Sequence, residues 1–120
     1  MESYFYYGET SLSVRMALAI AEGKVTGKLI AATLAKVEQS ARHVAEIVEE
    51  GRTVYGINTG FGPLCTTQIN AEDTKKLQEN ILKSHAVGVG EPIDTLLSKL
   101  MLILKVQALA QGFSGIQVET

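Results

Sequence analysis

The segment DTLLSKLMLILKVQALAQ, from Asp94 to Gln111, constrains this fold most. Its apolar residues, Leu96, Leu97, Leu100, Met101, Leu102, Ile103, Leu104, Val106 and Leu109, surround a helix on nearly every side instead of forming one stripe. Lys99 and Lys105 argue against a lipid span, because a charged side chain at the centre of a bilayer costs about 3 kcal/mol. A helix buried inside protein is expected, capped by Asp94 and ending near Gln111. It needs neighbours all round, so the rest of the chain must supply them or partners must.

The rest of the chain supplies too few. A first periodic segment runs from about Ser11 to Glu22 and stops at Gly23. From about Thr26 to Glu50, Ile30, Leu34, Val37, Ala41, Val44 and Val48 recur at steps of four and three, which predicts a long amphipathic helix ending at Gly51. A third helix is expected over about 71–86, with Asn70 as its cap and with Glu72 and Asp73 suiting the helix dipole in its first turn. Leu77, Ile81 and either Ser84 or His85 share its inner face; Gly88, Gly90 and Pro92 follow. The chain therefore reads as mainly α, with short or amphipathic helices around one that demands full cover. Missing partners are implied.

The totals remove several classes of function. At 120 residues there is one domain's worth of chain, and 46% hydrophobic with 20% charged residues is ordinary for a soluble globular protein. A formal net charge of −2 provides no electrostatic case for nucleic acid or for an anionic membrane. Cys65 is the sole cysteine, which excludes an internal disulfide and a cysteine-rich metal site; no metal is expected, and a reducing cytoplasm fits. The start MESYFYYGET lacks the basic and apolar regions of a signal peptide, so no export is expected.

One stretch is unsuited to packing. VYGINTGFGPL, Val54 to Leu64, sets Tyr55 and Phe61 among Gly56, Gly60 and Gly62. It is not a Walker A motif, because no Lys followed by Ser or Thr comes after the last glycine, and it does not match the dinucleotide fingerprint. Read alone, Tyr55 is a packed loop tyrosine, since a phenol ordinarily gives up its proton only near pH 10. His43 falls on the polar side of the long helix and Cys65 has no histidine near it in sequence; both read as inert. His85, beside a glycine turn on an inner helical face, reads as a satisfied core histidine or as a site residue.

Together, VYGINTGFGPL and the following LQENILKSHAVGVGEP resemble the aromatic amino acid ammonia-lyase family, and ALAQGFSGI is similar to its next landmark. The resemblance extends from about Ser11 to the end of the chain. It implies a largely helical homotetramer whose active sites each draw on three subunits, and it supplies the neighbours that the last helix lacks. It implies elimination of ammonia from an amino acid through a methylidene-imidazolone electrophile, formed by cyclisation of an internal Ala-Ser-Gly. No such tripeptide occurs in these 120 residues, so the chain resembles an N-terminal portion, expected to be inactive alone.

By the same resemblance, a base loop spans about 54–67 and a substrate-recognition helix about 71–87. Tyr55 is the base that takes the substrate's β proton, and Gly62 lies beside the substrate. The pair Ser84-His85 stands where the family distinguishes its substrates and favours L-histidine, giving trans-urocanate; Asn58, expected with them to bind the substrate, points the same way. The sequence departs from the family pattern at Lys99, Lys105, Gln107 and Gln117. Two rival readings stay open: a tyrosine or phenylalanine lyase or aminomutase, and a non-catalytic helical assembly module.

Overall fold

The computed structural model describes residues 3–59, 69 and 71–120. The order of elements is β1 (Tyr4–Tyr6), α1 (Val14–Ala21), β2 (Thr26–Lys28), α2 (Ala31–Glu49), α3 (Ala71–His85) and α4 (Thr95–Leu109). The chain divides into two compact units, Met1–Arg42 with Pro92–Thr120, and His43–Glu91. The architecture is mainly α, as the periodicity predicts.

In the first unit, β1 and β2 pair in parallel, with Tyr4 opposite Thr26, Phe5 opposite Gly27 and Tyr6 opposite Lys28. This pair corrects the expectation of helix from Thr26 onward. The Tyr7 ring lies so close to Gly27 that a Cβ there would collide with it, so only glycine lets ring and strand meet. The Phe5 and Tyr7 rings meet edge to face at 5.4 Å between centroids, and burial pushes the Tyr7 phenol above its ordinary pKa.

Helix α1 starts at Ser13, whose hydroxyl accepts the Met16 N–H at 3.2 Å. It buries Ala17 and Ala21 in a core with Phe5, Tyr7, Ile103 and Ala110, against which Met16, Ile20, Leu100 and Val106 pack. Asp94 caps α4 as expected, accepting from Leu96 N–H at 2.8 Å and Leu97 N–H at 3.3 Å. Only one side of α4 meets this core. Leu97, Met101, Leu102 and Leu104 stay exposed, so the described residues of this unit do not supply the cover that their apolar character demands.

The apolar stripe of α2 is half-buried at Leu34, Ala41, Val44 and Val48 and buried at Val37, with Thr33 and Ile47 buried beside it. Gly51, at φ +65°, follows its end. No helix among the described residues is long and apolar enough to cross a membrane.

Candidate active site

The site residues named from sequence fall in the second unit, on the segment after α2 and at the end of α3. After Gly51 the chain makes a tight turn in which the Ile57 N–H donates to the Val54 carbonyl at 3.1 Å. Tyr55 and Gly56 are its corner residues. Gly56 has φ +80° and open space where a Cβ would stand, so glycine is required there by backbone conformation and not by crowding. Tyr55 occupies the preceding corner position and is 63% exposed. The turn presents the phenol outward.

Asn58 braces this turn from inside. It is buried, its Oδ1 accepts the Val54 N–H at 2.9 Å, and its Nδ2 donates to the Arg52 carbonyl at 2.7 Å. Its own N–H donates to the Val54 carbonyl at 3.3 Å, and its carbonyl accepts from the Ile69 N–H at 3.0 Å. Sequence reasoning placed Asn58 beside the substrate and missed its tie to Arg52 and Val54. The signal was available in its spacing: an Asx side chain reaches backbone groups a few residues away and competes for them inside turns.

Gly62, Cys65, the cap Asn70 and the later part of the 54–67 loop lie outside the described residues. Helix α3 ends at His85, one residue before the expected Ala86. Leu77 and Ile81 are half-buried, whereas Ser84 and His85 are exposed, so the expected inner face is not covered at its end.

The geometry at Ser84 and His85 is nonetheless specific. Ser84 Oγ donates to the Ile81 carbonyl at 3.0 Å, and His85 Nδ1 lies 2.9 Å from the same oxygen and 2.9 Å from Ser84 Oγ. A carbonyl oxygen only accepts, so the neutral imidazole carries its proton on Nδ1 and directs it at Ile81 and Ser84. In that neutral form Nε2 is left as an acceptor on an exposed ring. A ring N–H of a ligand meets that requirement; a hydrocarbon ring does not. His43 is exposed, 3.5 Å from Glu46 on the same helix, as a solvated residue should be. Among the described residues no group of three His, Cys, Asp or Glu could hold a metal.

A helical unit carrying a braced tyrosine turn and an exposed histidine held through Nδ1 at the end of its helix is what these residues build. The family model described as aromatic amino acid lyase matches residues 12–120, and the chain belongs to this family. It is 45% identical over 109 residues to histidine ammonia-lyase of Shewanella piezotolerans, covering 91% of this chain and 21% of that protein. In structure it is similar to histidine ammonia-lyase from Trypanosoma cruzi, with TM-score 0.81 and 32% identity over 97% of this chain and 22% of that one. It is also similar to tyrosine aminomutase from Streptomyces globisporus, with TM-score 0.83 and 27% identity over 98% of this chain and 22% of that one. The chain thus spans about a fifth of the length of the relatives it matches.

Proposed function

We propose that this chain is the N-terminal portion of a histidine ammonia-lyase, which eliminates ammonia from L-histidine to give trans-urocanate. The observation that carries this reading is the 2.9 Å approach of His85 Nδ1 to the Ile81 carbonyl, which in the neutral ring leaves Nε2 to accept the N–H of a substrate imidazole. Its support from sequence is the 45% identity to a protein named histidine ammonia-lyase. Tyr55 is the base that removes the β proton, Gly62 approaches the substrate, and Ser84 holds the His85 ring in its tautomer. The assembly is a cytoplasmic homotetramer, serving histidine catabolism, and its other segments cover the exposed face of α4.

The family's methylidene-imidazolone cannot form within these 120 residues, which contain no Ala-Ser-Gly. The chemistry proposed for them is therefore confined to proton removal and recognition of the ring. The likeness to a tyrosine aminomutase keeps one rival, action on tyrosine or phenylalanine. Assay of the complete protein with the three amino acids separates the two. Urocanate formed in preference to coumarate and cinnamate supports the histidine reading, and the reverse preference overturns it.

A further inference from the structure

We propose that Asn58 is a positioning residue for proton abstraction, holding the turn from which Tyr55 projects; the role rests on Tyr55 being the base. The turn follows Gly51 at φ +65° and has Gly56 at φ +80° as its second corner, two residues whose backbones rotate at little steric cost. Something must therefore fix the corner between them. Asn58 does so by accepting from the Val54 N–H at 2.9 Å and donating to the Arg52 carbonyl at 2.7 Å, bridging the two ends of the Arg52-Thr53-Val54 segment that leads into Tyr55.

The brace demands this side chain. Aspartate keeps the acceptor for Val54 but faces the Arg52 carbonyl with an oxygen, leucine lacks both functions, and glutamine is one methylene too long. At 2% exposed, and with both ends of its carboxamide engaged, Asn58 acts through the backbone around Tyr55 and not by contact with substrate. Displacing a base by about 1 Å costs on the order of a hundredfold in rate, so a loosened turn should register in kcat.

The test uses the complete protein carrying Asn58→Leu, Asn58→Asp and Tyr55→Phe, singly and combined. Asn58→Leu should lower kcat for L-histidine about a hundredfold and Asn58→Asp about tenfold, with KM held within about threefold. Added to Tyr55→Phe, either change should cost less than about twofold more, because the group it positions is already gone. The electrophile's near-ultraviolet absorbance and the circular dichroism report that each variant folds; if the leucine variant does not, the isosteric aspartate carries the test. A rise in KM with kcat unchanged, or losses that multiply in the double variants, overturns the role of Asn58 while leaving Tyr55 as base. Near-normal turnover of Tyr55→Phe alone removes the base reading, and this role with it.

Discussion

Gln107 Oε1 accepts the Gly8 N–H at 3.2 Å, joining α4 to a turn 99 residues earlier in the chain. The same carboxamide donates from Nε2 to the Thr10 carbonyl at 3.0 Å. The resemblance implies asparagine at this position, and the length of Gln107 suits the gap it spans. Gln107→Asn withdraws both ends by one methylene and should destabilise the protein by about 1–3 kcal/mol. Gln107→Glu, which keeps the acceptor but sets an oxygen against Thr10, should also destabilise. Thermal unfolding measures both, at about 4–8 °C for each kcal/mol.

The same turn carries a pH-sensitive link. Glu9 accepts from Lys36 Nζ at 2.9 Å and from the buried Thr33 hydroxyl at 3.0 Å, and these bonds, with the Lys36 charge, hold its carboxyl below the ordinary range. A group whose folded pKa is depressed stabilises above its unfolded pKa, and this contribution disappears as pH falls through the folded value. Glu9→Gln should therefore lower the melting temperature at pH 7 and make little difference in acid below the ordinary carboxylate range. A gap between wild type and variant that stays constant across that range would contradict the assignment.

Tyr55→Phe in the complete protein keeps the ring and the turn while removing the phenol. Turnover of L-histidine should fall by about a hundredfold or more with the electrophile's absorbance intact. Steady-state kinetics and the near-ultraviolet spectrum check the two halves of that statement. Near-normal turnover transfers the base role elsewhere.

His85→Leu removes the ring whose Nε2 is proposed to accept from the substrate. A substrate imidazole then loses its partner, at a cost of about 1–3 kcal/mol, whereas phenylalanine and tyrosine lose nothing. The ratio of kcat/KM values should shift toward those substrates by about tenfold or more. If His85 only supports the helix end, every substrate loses equally and the melting temperature falls.

Exposed Leu97, Met101 and Leu104 share one face of α4, with Leu102 exposed on another side, and water suits neither. The 120 residues produced alone should self-associate, seen by sedimentation, and should release no ammonia from L-histidine. A clean monomer at high concentration, or urocanate from this piece, would contradict the proposal that other segments of a larger enzyme complete it.

The local signals in this sequence were sufficient for much of the fold. Asp94 caps α4 and Gly51 follows the end of α2 because caps and stops act over a few residues, and the stripe from Leu34 to Val48 needs only helical periodicity to be read. The family too was legible, since VYGINTGFGPL and LQENILKSHAVGVGEP carry it residue by residue. Tertiary structure alone decided the parallel pairing of Tyr4–Tyr6 with Thr26–Lys28. Three-residue strands have too little pattern to be seen, and their partner lies beyond an intervening helix. Local conformation decided which of the backbone groups within their reach Asn58 and His85 engage, the Val54 N–H and Arg52 carbonyl for one and the Ile81 carbonyl for the other. Both depend on where a side chain points relative to backbone groups, and a linear sequence records the residue but not that direction.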